Sequence, residues 1–150
     1  MNSLENLRLK GKVNIVVKAE DGSVKEEREI DNLVVTAGLT FIASRMAGTA
    51  SAVMSHMAVG SGSTAAAAGQ TDLVTLIGSR VALTSTTPGA SNIVYVASFG
   101  AGVSTGAIQE AGIFNAATAG TMLCRTTFAV INKGANDTMT VTWTVSLVAV

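Results

Sequence analysis

The stretch TMTVTWTVSLV, Thr138–Val148, decides the fold class. Met139, Val141, Trp143, Val145 and Leu147 fall on one side of an extended chain, and Thr140, Thr142, Thr144 and Ser146 on the other. Such a period of two describes an antiparallel strand with one face on a core and one face outward. The same alternation opens the chain. In KGKVNIVVK (10–18), Val13, Ile15 and Val17 share a face opposite Lys12, Asn14 and Val16. Glu20-Asp21-Gly22-Ser23 supplies an Asp-Gly turn of the kind that closes tight hairpins, and VKEEREI (24–30) returns as a charged strand. Further strands are expected at 55–59, 80–84, 93–99, 107–114 and 122–131. One helix is expected at about residues 36–47 (TAGLTFIASRMA), with Thr36 as its cap. Leu39, Ile42, Ala43 and Met46 recur there at helical spacing before Gly48. A short helical turn is expected over 70–77. Short strands joined by Gly-, Ala-, Ser- and Thr-rich connections predict a mainly β fold. It is read as an antiparallel β-sandwich with one short α-helix and an N-terminal β-hairpin. Residues 1–31 are read as an N-terminal arm and charged β-hairpin, and 32–150 as the β-sandwich body.

Charge divides along the same boundary. Of twenty Asp, Glu, Lys and Arg residues, thirteen lie in positions 1–31, and the remaining seven are Arg45, Asp72, Arg80, Glu110, Arg125, Lys133 and Asp137. A body so poor in charge is short of the surface that keeps monomers apart and short of groups for most active sites. The chain is therefore expected to be a structural, assembling protein and not an enzyme. Its net charge of zero supplies no basic excess for a phosphate backbone, so no nucleic-acid partner is expected. No apolar run reaches the roughly 18 residues of a membrane span, and the N-terminus lacks a signal-peptide core. No membrane partner is expected, and assembly is placed in the cytoplasm.

Chemical motifs fail on inspection. Gly60-Ser61-Gly62-Ser63-Thr64 has the glycines of a phosphate loop, but four alanines follow where a lysine is needed. His56 is the sole histidine and Cys124 the sole cysteine, which gives no tetrahedral metal set. No catalytic residue, metal or cofactor is assigned. Glu110 is an isolated acid in a neutral body. If buried it needs a partner, and Arg80 and Arg125 are the candidates for a structural ion pair. Gly112, within Glu110-Ala111-Gly112-Ile113-Phe114, removes a side chain from a strand, as a bulge or a close backbone approach requires.

Several stretches occur in a telling order: NLVVTAGLTFIASRMAG (32–48), MSHMAVGSGSTAAAAGQTDL (54–73), RVALTS (80–85), IVYVASFGAG (93–102), GAIQEAGIFNAATAGTMLCRTTF (106–128) and NKGANDTMTVTWTVSL (132–147). This arrangement resembles a family of small structural proteins of tailed bacteriophages, over nearly the whole chain from about residue 11. The EAGIF strand and its following Gly-Thr turn are also similar to the attachment domain of tail-collar fibre proteins. The resemblance implies a virion protein, most simply a capsid decoration, or cement, protein that binds the major capsid protein as a homo-oligomer, with a trimer favoured. The alternative is a tail, baseplate or fibre-attachment adaptor contacting tail proteins. The chain's close at Val150, with no fibre shaft, is taken to favour decoration. The contact with capsid or neighbour is expected in Met1–Lys12, with Leu4, Leu7 and Leu9 as apolar anchors and Arg8, Lys10 and Lys12 as charged ones. Deleting residues 2–10 is expected to leave the sandwich folded.

Overall fold

The computed structural model describes residues 7–49 and 51–149. The described residues form nine strands and one helix: β1 (Leu7–Lys18), β2 (Val24–Val34), α1 (Thr36–Met46), β3 (His56–Gly60), β4 (Val81–Ala82), β5 (Ser85–Pro88), β6 (Asn92–Phe99), β7 (Gly106–Phe114), β8 (Met122–Lys133) and β9 (Thr138–Ala149). They make one antiparallel sheet in the order β4-β3-β7-β8-β2-β1-β9-β6-β5. The mainly β fold predicted from the alternation is what forms.

The sheet curls until its halves share a core. Val13, Ile15 and Val17 of β1, Ala97 and Phe99 of β6, and Val141, Trp143 and Val145 of β9 pack with Met57, Val59, Ile113, Cys124 and Ile131 from the other half. Burying one such aliphatic side chain contributes roughly 1.5–3 kcal/mol. A one-residue slip of β1 on β9 would turn the whole set outward, so the core fixes the register. Val13 lies opposite Trp143, and Tyr95 lies opposite the same indole from the other side.

Two crossings make the curl. β2 pairs with β1 from Val24 to Asn32, and its ladder with β8 covers only Leu33 and Val34. At the other side, β4 and β5 form the two outer edges of the sheet, with only Leu83 and Thr84 between them. Leu83 donates to Ser55 O and Thr84 to Val96 O, so this short segment steps from one half to the other, as strands do at sandwich corners. Of the strand expected at 80–84 only Val81–Ala82 forms, and β5 begins just beyond it.

The N-terminal hairpin is central. β1 pairs with β9 along all of Leu7–Lys18, and the boundary expected after residue 31 falls inside β2. The turn forms as the sequence requires, with Gly22 at φ 87° and Asp21 accepting from the Ser23 N–H and hydroxyl. α1 closes the end of the sandwich where β2 crosses to β8. Val35, not Thr36, precedes its first turn, and the Thr36 N–H donates to Ala68 O. Gly38 lies against β8, where an added Cβ would stand 2.1 Å from Leu123 O. No helical turn forms at 70–77, because the Val74 and Thr75 N–H groups are committed to Glu110.

Candidate functional site

Glu110 lies on the outer face of β7 and Arg125 on the outer face of β8, and both are fully buried beneath the loop that follows β3. Arg125 grips one carboxylate oxygen with two nitrogens: Nη2 at 2.7 Å and Nε at 3.0 Å from Glu110 Oε2. Backbone N–H groups complete the shell. Thr75 and Gly62 donate to Oε1 at 2.7 and 3.0 Å, and Val74 donates to Oε2 at 3.0 Å. The second Arg125 arm, Nη1, donates to Thr64 O and Gln70 Oε1, both at 2.9 Å. Gln70 in turn accepts from the Ala67 N–H and donates to Ala65 O. One ion pair thereby holds residues 62–75 against the sheet.

The glycine-rich turn does cradle an anion, and the anion is the chain's own carboxylate. A Cβ on Gly62 would fall 2.6 Å from Glu110 Oε1, and one on Gly60 would fall 2.2 Å from Thr75 O, so both glycines permit the approach. Gly112 leaves the space over β7 that Leu73 fills, its Cδ2 lying 3.1 Å from where a Cβ would be. Burial pushes the Glu110 carboxyl up, but the N–H groups of Thr75 and Val74, the Arg125 guanidinium and the Gly62 N–H together hold it below its ordinary value.

Of the two arginines considered for Glu110, Arg125 meets it and Arg80 does not. The Arg80 guanidinium lies 3.6 Å from the Phe114 ring centroid. It donates to Ala116 O at 2.9 Å and Ala119 O at 2.7 Å, bracing the turn before β8, with Asp72 at 3.6 Å. A second polar cluster sits at the turn before β9. The Asp137 carboxyl is held down by Lys25 and by the Gly134 N–H. Lys133 donates to Gly100 O, and burial pulls its ammonium down against the opposing effect of Asp137.

The residues expected to contact a neighbour divide between two faces. Leu4 lies outside the described residues. Arg8, Lys10 and Lys12 are exposed on the outer face of β1, opposite Val148, Ser146 and Thr144 of β9. Lys12 pairs with Glu29 at 2.9 Å, and the outward Glu27, Glu29 and Asp31 of β2 form an acidic row alongside. Leu7 and Leu9 point the other way. Leu9 is half-buried against the core, while Leu7 stays 63% exposed beside α1. Residues 7–10 pair with Ser146–Ala149, so deleting 2–10 would strip β9 of part of its partner strand and take Leu9 from the core. The expectation that such a deletion spares the fold is corrected accordingly.

An apolar surface surrounds α1 and was not singled out from the sequence. Leu33, Leu39, Met46 and Val53 are all exposed there with Leu7. Its signal was the 39/43/46 spacing, which reads equally well as a core-facing stripe. Elsewhere, His56 Nδ1 lies 2.8 Å from Ser55 Oγ. Cys124 is buried, and its thiol is pushed up by burial. Among the described residues, no three His, Cys, Asp or Glu side chains gather as metal ligands, and no helix is long and apolar enough to cross a membrane. No family model matches the chain, and neither does a curated protein or a solved structure.

Proposed function

We propose that the protein is a non-enzymatic structural component of a tailed-phage virion, a capsid decoration protein that binds the shell as an oligomer and bridges capsomers. The observation that carries this reading is the disposition of charge. The body's acids and bases are largely taken up by the fold: Glu110 with Arg125, Arg80 against Phe114 and two carbonyls, Lys133 on Gly100, and Asp137 with Lys25. Arg8, Lys10, Lys12, Glu27, Glu29 and Asp31 of the N-terminal hairpin remain outside. They form a basic row (Arg8, Lys10, Lys12) beside an acidic row (Glu27, Glu29, Asp31), next to the Thr and Val face of β9 and β6. Paired rows beside a neutral face suit docking onto another protein, where complementary charge fixes orientation and register. Many weak contacts, multiplied by oligomerisation, would strengthen a shell without any single tight site.

The order of motifs from 32 to 147 supports the same reading, and EAGIF supports a second. A tail, baseplate or fibre-attachment adaptor would share that strand. In this chain its Glu110 and Gly112 shape the loop covering β7, a role compatible with either station. Quantitative mass spectrometry of purified virions, referenced to the major capsid protein, separates the readings. A ratio near one copy per capsid subunit is expected. A few dozen copies or fewer per particle would move the protein to the tail, and absence from the particle would remove both readings.

A further inference from the structure

Residues 62–74 form a loop that is closed at its neck. There the Ser61 N–H donates to Thr75 O at 2.9 Å, Gly60 and Leu76 bridge, and the Ile77 N–H donates to Val59 O. A chain that leaves and returns at one point, packed by its own side chains, is an Ω-loop. Gln70 does that packing: its side chain joins Ala65 O to the Ala67 N–H, and its own N–H donates to Ala67 O. Among the described residues 62–74, only Gly62 and Leu73 are buried. Leu73 is the apolar peg, set among Val35, Ala58, Phe114 and Met122. Most of the polar hold on the body passes through one ion pair. Glu110 accepts from the Gly62 and Val74 N–H groups, and Arg125 donates to Thr64 O and to Gln70. Apart from that pair, Ala68 O accepts from the Thr36 N–H, and the exposed Asp72 lies 3.6 Å from Arg80.

We propose that residues 62–74 are a lid that opens as one unit while the sandwich stays folded, with Glu110–Arg125 as its latch and Leu73 as its peg. Segments with little buried apolar surface open at a lower free energy than a core, and this loop buries one large side chain. Its contacts cannot be lost one at a time. The same carboxylate serves Gly62 at one end and Val74 at the other, and the guanidinium bound to it serves Thr64 and Gln70 between them. Releasing one end strips partners from buried charges, which is costly until the whole loop lifts and water reaches both. Opening also draws Leu73 from its socket and uncovers the outer face of β3 and β7 around Ala58, Gly112 and Phe114. The device needs no partner and does not depend on the virion reading.

Native-state hydrogen exchange of the full-length chain, read amide by amide by NMR, tests this. The amides of Ala67, Gln70 and Thr36 donate to neither charge. They are expected to share one opening constant with Gly62 and Val74, larger than that of Val13 and Trp143 in the core and less dependent on denaturant. Leu73→Ala should speed all the lid amides by one common factor, at least about tenfold. Ile15→Val weakens the core in the closed and open forms alike, so it should speed Val13 and Trp143 and leave the lid amides unchanged. Glu110→Gln should again act on Ala67, Gln70 and Thr36 as strongly as on Gly62 and Val74. Unrelated opening constants within the loop, or unequal factors in Leu73→Ala, overturn the single unit. Lid amides that follow the core in Ile15→Val overturn the lid itself. A Glu110→Gln effect confined to Gly62 and Val74 overturns the latch.

Discussion

Two ion pairs of similar length lie in this molecule and do different things. Arg125–Glu110 spans 2.7 Å with both side chains sealed from water, and Lys12–Glu29 spans 2.9 Å with both more than half exposed. The first has every arm engaged: five donors converge on the carboxylate, and the remaining guanidinium arm reaches two further oxygens. The second lies within rows of like-charged neighbours and keeps most of its hydration. Distance alone therefore says little about the work a pair does. A buried pair organises backbone because leaving any donor unmatched is costly, whereas an exposed pair exchanges water contacts for ionic ones at almost no net gain.

The largest expected effect comes from breaking the buried pair on one side. Arg125→Met should lower unfolding stability by about 3–5 kcal/mol, since it strands a buried carboxylate, as read by urea denaturation. Adding Glu110→Gln to that variant should restore part of the loss, which a double-mutant cycle would measure. An additive pair of losses would mean that the two residues do not act as one unit.

Acid comes next. The Glu110 carboxyl is held below its ordinary value of 4.5, so the folded state binds its proton less readily than the unfolded chain. Its contribution is complete above that ordinary value and is lost as pH falls through the lowered one. Asp137 and Asp21, also lowered, act in the same direction. Thermal midpoints should fall steadily below about pH 4.5, and Glu110→Gln should flatten that slope. An unchanged slope would assign acid sensitivity to other carboxylates.

The smallest effect belongs to the exposed pair. Lys12→Ala should leave the midpoint unchanged within error, because exposed pairs contribute little once solvent screening is counted. A clear drop would show that the outer rows support the fold and are not reserved for contact.

The same contrast separates what could be read from the sequence. Strong alternation in β9 and β1, the Asp21-Gly22 turn and the span of α1 were all legible, because each rests on local periodicity or turn chemistry. Burial of Glu110 was legible as a need for a partner, and Arg125 was one of the two candidates. What escaped depends on distant parts of the chain. β5 reads STTP, without an apolar residue to mark it apart from proline, and exists because its backbone pairs with β6. Residues 70–77 carry polar residues suited to a helix start, yet their amides serve a carboxylate 35 residues further on. The hairpin's charges suggested an outlying arm. In fact Glu26 and Arg28 stand opposite Val17 and Ile15 on the inward side of β2. There Arg28 pairs with Glu26 and donates to Ala129 O across the opening between β2 and β8. Inward charges of this kind guard an unpaired edge, a purpose that appears only once the sheet order is known.

The claim that the inner charges build the fold while the outer ones make the contact is tested most directly on particles. Arg8→Ala, Lys10→Ala and Lys12→Ala, combined in one chain, change only outward side chains of β1. Virions stripped of the protein would be titrated with this variant and with wild type at several salt concentrations. An unchanged circular dichroism spectrum and unfolding midpoint are expected, with binding weakened at least about tenfold and its salt dependence reduced. Binding equal to wild type, with the same salt dependence, would contradict it.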